Sequence, residues 1–412
     1  MSELGWVDFS SIQREQVSKI LAMLKEPGTL DELGIGQIRD AFADLLFPGF
    51  STIQTRAKYL ITVPRIFRDY HLLSASEKKR RDLYKYLTDL EDEVAKRLVE
   101  KHGSSEEGII GSTMIDKGGV AKRPSSVYWN AFRQFGIIKD STSLREFCLE
   151  YEKDNDNNHY VTEHEDGADD EGHYRLKDKV EIPSLEEDWL ENVEINLTKK
   201  EADFLYLYMM QSSNIADSIP AQVFKHNLLD QVLEEKYKSL EILTFLFKNT
   251  NAISSTCRNT VILANEFSLA MEGPHIRYNI IIAKRNKHNT VDKYEKEYDE
   301  WFEEVERKNL FYKECSEVWL SAAAKNHPKS FKSKTISFIK EWNSLIQKNA
   351  SKIELDELVE TRAKQNKGNR SLLYKKITKE NWIGIRRLDY RWSSAIKILQ
   401  DISDGRKHAS SK

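Results

Sequence analysis

Apolar positions recur at helical spacing through most of this chain. From Pro124 to Phe135, winding at about 3.6 residues per turn places Val127, Tyr128, Ala131, Phe132 and Phe135 on one face, which is predicted to be buried. Pro124 suits a first helical turn that needs no N–H, and Gly136 suits a left-handed C-terminal cap. The opposite face carries Ser126, Asn130, Arg133 and Gln134, with Trp129 at its edge. Three stretches, Ser74–Glu77, Ser143–Glu146 and Thr198–Glu201, have the spacing of a capping box, in which a hydroxyl and a carboxylate three residues on satisfy each other's backbone N–H groups. The same periodicity predicts helices over 12–25, 38–47, 52–70 with Pro64 as a kink, 75–102, 224–246, 292–305 and 311–324. A further helical run over 262–285 is expected to be interrupted at Gly273–Pro274, because proline removes a backbone donor and clashes with the preceding turn. In the last element Leu388, Trp392, Ala395, Leu399 and Ile402 recur at heptad-like steps that suit docking. The expected fold is mainly α, multi-helical and two-lobed.

Between Lys153 and Glu181 apolar residues almost vanish, and such a composition buries too little surface to offset chain entropy. The chain is therefore expected to divide into an N-terminal helical domain over 1–150, an acidic linker or exposed loop over 151–185, a C-terminal helical domain over 186–402 and a disordered tail over 403–412. Net charge is −3, but its distribution is uneven. Residues 150–194 hold 17 Asp and Glu against 4 Lys and Arg, whereas 325–412 hold 21 Lys and Arg against 9 Asp and Glu. An acidic middle and a basic end signal a polyanionic partner or masking of one segment by the other. They are equally compatible with two unrelated solvated surfaces.

The candidate chemistry follows from these positions. Lys122 and Arg123 lead into the 124–135 helix, and Ser126, Asn130, Arg133 and Gln134 are types that hydrogen-bond phosphates or base edges. With the Gly-rich turn at Lys117–Gly119 before it, this helix fits the second helix of a helix-turn-helix or winged-helix unit, and it equally fits a plain solvated amphipathic helix. Near the C-terminus, Lys364–Arg370 is a basic Gly-containing loop, and Trp382, Arg386, Arg387, Tyr390 and Arg391 interleave aromatics with cations, as where bases stack and phosphates are neutralised. Asn265, Ser268, Glu272, His275 and Asn279 form a polar stripe in which Glu272 and His275 suit either acid–base chemistry or a hydrogen-bonded helix contact. His159, His164 and His173 sit among carboxylates in a segment that does not preorganise a metal site. Cys148, Cys257 and Cys315 are isolated and read as reduced thiols. No Gly-rich phosphate loop, nucleophile elbow, zinc pair or other catalytic signature is present, so no cofactor or metal is expected. No apolar run approaches a membrane span and no leader pattern opens the chain, so a cytoplasmic protein with no membrane contact is expected.

The segments GWVDFS, QREQV, EPGTLDELGIGQIRDAFADLLFPGFSTIQTRAKYL and KRPSSVYWNAFRQFGI, with AMEGPHIRYNIIIAKR and LDYRW later, resemble a bacterial family of about 400 residues catalogued as a domain of unknown function. The resemblance spans nearly the whole chain, with the acidic segment the most variable part. It implies a setting in mobile or antiphage-defence gene neighbourhoods beside helicases and phospholipase-D-like nucleases, and it carries no catalytic residues. The expected role is a non-catalytic nucleic-acid-binding or adaptor subunit of such a system, contacting DNA or RNA and helicase or nuclease partners. A helical protein-binding scaffold, or an effector using Glu272 and His275, are the alternatives.

Overall fold

The computed structural model describes residues 31–112, 122–161, 179–183, 187–234, 239–325, 327 and 330–407, with 153–161 as backbone alone. The expected 12–25 helix, the Lys117–Gly119 turn, His164 and His173 lie outside these residues. Sixteen α-helices run through the described residues without a named strand, as the helical periodicity predicts. In chain order they are α1 (Gly36–Leu46), α2 (Tyr59–Leu72), α3 (Ala75–Arg80), α4 (Leu83–His102), α5 (Pro124–Gln134), α6 (Leu144–Val161), α7 (Lys199–Gln211) and α8 (Ile219–Lys225). They continue with α9 (Leu229–Val232), α10 (Leu240–Asn249), α11 (Ser255–Asn286), α12 (Val291–Arg307), α13 (Cys315–Ala324), α14 (Ser333–Gln347), α15 (Lys352–Lys367) and α16 (Trp392–Lys407).

Local signals hold where the chain can satisfy them within a few residues. The Ser74 and Thr198 capping boxes both form and open α3 and α7. The Ser143 N–H donates to Glu146 at 2.9 Å and the Glu146 N–H to Ser143 at 3.3 Å, starting α6. The expected single helix over 75–102 is instead two, because Asp82 accepts from the Lys85 N–H at 2.6 Å and caps a new start. The predicted 52–70 helix begins only at Tyr59 and carries Pro64 inside it. The 224–246 stretch is likewise divided among α8, α9 and α10. Into the acidic segment, α6 runs on to Val161 from its buried start at Phe147, Cys148 and Tyr151, so that the region expected to be a loop from 153 is helical in its first part. All three cysteines are buried and free.

The chain folds into two compact units that do not follow chain order. One holds the described residues up to Leu46 together with Leu240–Tyr390, and the other holds the described residues of Phe47–Ser239 together with those from Arg391 onward. Neither unit is the continuous lobe that a cut at the acidic segment suggests.

In the first unit α11 is the axis. It buries Phe267, Leu269, Ala270, Met271, Ile276, Tyr278, Ile280 and Ile281, and a helix apolar on every side belongs at the centre of a core. Helices α1, α10, α12, α13 and α15 pack against it. The expected break at Gly273–Pro274 does not occur, and α11 runs 32 residues. A tertiary partner covers the weak point: the Trp301 ring lies so close over Gly273 that any Cβ would overlap it, while its indole N–H donates to the Leu269 carbonyl at 2.8 Å. Arg277, 1% exposed, joins α11 to α12 and α15 through Glu295 and Asp356.

In the second unit α2, α4, α5 and α6 share an aromatic core. Tyr59 packs on Tyr128 at 5.6 Å, and Trp129 and Phe67 pack on Phe147 at 5.2 and 5.3 Å. The expected disordered tail from Ser403 is helical through Lys407. Gly405 lies against Leu197 and Ala202, and Arg406 pairs with Asp203 at 3.0 Å while stacking over Tyr206 at 3.7 Å.

Candidate nucleic-acid interface

Two of the residues expected to read nucleic acid at α5, Arg123 and Arg133, have side chains committed to the fold. Seven of its eleven residues are buried, including every member of the predicted apolar face up to Phe132, and Phe135 follows buried at the C-cap. Tyr128 accepts at its hydroxyl from the Thr55 and Arg56 N–H groups at 2.8 and 3.1 Å and donates to the Arg56 carbonyl at 2.8 Å, tying α5 to the segment before α2. Tyr128→Phe leaves those two N–H groups without an acceptor and is expected to cost about 1–3 kcal/mol, read as a lowered melting temperature. Arg123 grips Asp92 with two bonds at 2.9 and 3.0 Å and also donates to the Thr88 carbonyl. Arg133 donates to the Asp140 carbonyl at 3.1 Å, the Gln134 carbonyl accepts from Ser212 at 2.7 Å, and Lys122 is half-buried. Only Ser126 and Asn130, one turn apart, stand exposed. The preceding helix α4 ends at His102, so the described residues show no short turn joining two helices ahead of α5. Arg56 and Lys58, just ahead of α2, also turn inward, to Asp401 at 3.1 Å and to Glu201 at 2.8 Å.

The polar stripe of α11 has a definite use. Residues 377–390 run antiparallel along this helix as a strap tied at intervals. The Ile377 N–H donates to the Asn286 side chain at 2.9 Å, and its carbonyl meets His288 Nε2 at 2.8 Å. Asn279 binds both the N–H and the carbonyl of Ile383, each at 2.8 Å. Glu272 holds Arg387, Ser268 accepts from the Leu388 N–H at 2.6 Å, and the Tyr390 hydroxyl donates to the Ala264 carbonyl at 2.6 Å. The thirteen steps from Ile377 to Tyr390 thus span a helical length of about 33 Å against about 43 Å at full extension, so the strap runs at roughly three-quarters of its full reach. Glu272 and His275 share no hydrogen bond: Glu272 serves the strap, and buried His275 meets the Met271 carbonyl at 2.7 Å through Nδ1. Burial pushes the His275 imidazole below its ordinary range and keeps it neutral. The strap also accounts for two predicted arginines. Arg387 is surrounded by Glu272, Glu304 and Glu241, while Arg386 lies 4.1 Å over the Trp382 ring and 3.5 Å from Glu297. Arg391 reaches the Phe47 carbonyl at 3.4 Å.

Cations without carboxylate partners among the described residues collect on a neighbouring stretch that begins in the basic Lys364–Arg370 loop. Residues 361–379 contain seven Lys and Arg and no Asp or Glu. Helix α15 ends at Gly368, and two short 3-10 turns, Gly368–Arg370 and Leu372–Tyr374, follow. Their backbone is held from inside. Buried Glu32 accepts from the Ser371 hydroxyl at 3.0 Å, the Leu372 N–H at 3.3 Å and the Tyr278 hydroxyl at 2.8 Å, and Arg285 donates to the Leu373 carbonyl at 3.2 Å. Leu373 points in, and Tyr374 stands out at 59% exposure. Lys364 pairs with Glu360, but Lys367, Arg370, Lys375, Lys376 and Lys379 make no ion pair with the described residues, and Lys287 beside His288 is likewise exposed and unpaired. Of this surface the sequence reading found Lys364–Arg370; the acid-free continuation to Lys379 is the signal that extends it.

Elsewhere in the first unit, clefts of about 220 Å³ at Asn265, Glu266 and Tyr312 and about 240 Å³ at Phe302, Phe311 and Ile346 are smaller than the roughly 300–1,000 Å³ of usual ligand pockets. Among the described residues no group of three or more His, Cys, Asp and Glu is placed to hold a metal ion. No described helix is long and apolar enough to cross a membrane.

A family model described as a family of unknown function, DUF6361, matches residues 1–406. The chain belongs to this family. That agrees with the resemblance to an uncharacterised family of this length. No curated protein and no solved structure matches the chain. For this DUF6361 member, the acid-free surface around Tyr374 is therefore read from its own residues.

Proposed function

We propose that this DUF6361 member is a non-catalytic nucleic-acid-binding or adaptor subunit, and that it serves a bacterial antiphage-defence system with helicase or nuclease partners. The observation that carries the binding half is the set Lys367, Arg370, Lys375, Lys376 and Lys379, exposed or half-exposed and without an ion pair among the described residues, in a chain whose net charge is −3 and whose other predicted cations are largely paired. Phosphates draw on such unpaired cations, and binding releases counterions. Supporting the adaptor half, α10 leaves Ile242 43% and Phe245 70% exposed, apolar area of the kind that protein partners cover.

Titration of labelled oligonucleotides at several salt concentrations tests the reading. Affinity should fall steeply with salt, and replacing Lys375, Lys376 and Lys379 together with Ala should lower the slope by about 2–3, since each neutralised phosphate contributes about 0.7–0.9. Lys122→Ala with Asn130→Ala should change that slope far less. An intact protein that binds no nucleic acid at low salt would end the proposal.

A further inference from the structure

We infer that the ligand of the 364–379 surface is a single-stranded nucleic acid, with an unpaired base stacked on Tyr374; the inference rests on the nucleic-acid reading proposed above. Three features of Tyr374 point this way. Its ring is 59% exposed, although Leu373 beside it is 6% exposed, and it has no aromatic contact or side-chain hydrogen bond with the described residues. Its backbone is fixed: the Tyr374 and Lys375 N–H groups donate to the Ser371 and Leu372 carbonyls at 3.2 and 3.1 Å, and the turn is anchored beneath by Glu32. A tyrosine on a fixed backbone has only its two side-chain rotations to lose when a base settles on its ring. Finally, cations bracket it on both sides in sequence, Lys367 and Arg370 before and Lys375, Lys376 and Lys379 after, with no carboxylate among them.

That combination of one presented ring with flanking backbone-neutralising charges is what an unpaired strand uses, because every base has a face to stack and every linkage a phosphate to neutralise. A duplex has its base faces already stacked, so it can engage the lysines but not the ring.

The test is a fluorescence-anisotropy titration of the full chain with labelled single strands, oligodeoxythymidylate and oligouridylate, and with a DNA duplex of equal phosphate number; flotation with phosphatidylserine vesicles runs beside it. The single strands should bind more tightly than the duplex. Tyr374→Ala should weaken single-strand binding by about ten- to a hundredfold without changing the salt slope, while Tyr374→Phe should retain most of the affinity. The exposed, unbonded side chain makes both variants compatible with folding, which unchanged melting temperatures would verify. If duplex and single strand bind alike and Tyr374→Ala has no effect, the single-strand inference is overturned while the nucleic-acid reading survives. If no nucleic acid binds, or only vesicles do, both are overturned.

Discussion

Arg277→Leu is expected to destabilise the first unit by about 3–5 kcal/mol, because it removes the cation between carboxylates drawn from two other helices. Arg277 is 1% exposed, and its guanidinium reaches Asp356 through Nε and Nη2, both at 2.7 Å, and Glu295 through Nη1 at 3.0 Å, lying 4.9 Å over the Tyr298 ring. Leucine fills part of the volume but leaves Asp356 and Glu295, each about one-quarter exposed, facing each other's charge with only Lys284 and Lys352 remaining near Glu295. Burial raises the Glu295 carboxyl, but Lys284, Arg277 and Lys352 more than offset this and hold it at about 2. Its stabilising share is thus present above its unfolded value and lost as pH falls toward 2. Arg277→Lys should recover only part of the loss, since one ammonium cannot serve both carboxylates with the geometry of a fork. Urea unfolding of the three proteins measures this, and an unshifted midpoint for the leucine variant would refute the assignment.

Glu91→Gln is expected to act in the opposite direction and to make the protein more stable above neutral pH. Glu91 lies fully inside the second unit, its Oε1 accepting from the Ser125 N–H at 2.5 Å while Oε2 is buried without a partner. Burial drives its carboxyl from 4.5 up to about 7, with the Ser125 N–H and Arg123 opposing the rise. Below about pH 4.5 the folded and unfolded chains both hold the proton and nothing is lost. Between 4.5 and 7 the unfolded chain ionises first, so stability falls as pH rises, and above 7 the penalty levels off at about 3 kcal/mol. Glutamine keeps an acceptor for the Ser125 N–H and carries no charge, so the difference in stability between variant and wild type should grow across that window and then stay flat. Melting temperatures of both proteins from pH 4 to 8 give the comparison, and parallel curves would show that Glu91 ionises freely.

What the sequence determined by itself is local. The capping boxes at Ser74, Ser143 and Thr198, the buried set from Val127 to Phe135 and the mainly helical class all depend on partners within a turn or two, so periodicity and spacing are sufficient to read them. Tertiary structure decided everything that depends on distant partners. Pro274 looks like a break until Trp301 covers Gly273 and reaches the Leu269 carbonyl. Arg123 and Arg387 look available for phosphates until Asp92, 31 residues away, and Glu272, 115 residues away, take them. The Glu272 and His275 stripe suggests chemistry until the strap arrives to use Ser268, Glu272 and Asn279 as its fastening points. A cation's sequence neighbours do not reveal which carboxylate will neutralise it, because ion pairs form between surfaces that only folding brings together. Among the described residues the cations from Lys367 to Lys379 stay without an ion pair for the converse reason: that segment contains no acid of its own, and Glu32, the carboxylate that folding places beneath it, is occupied by Ser371, Leu372 and Tyr278.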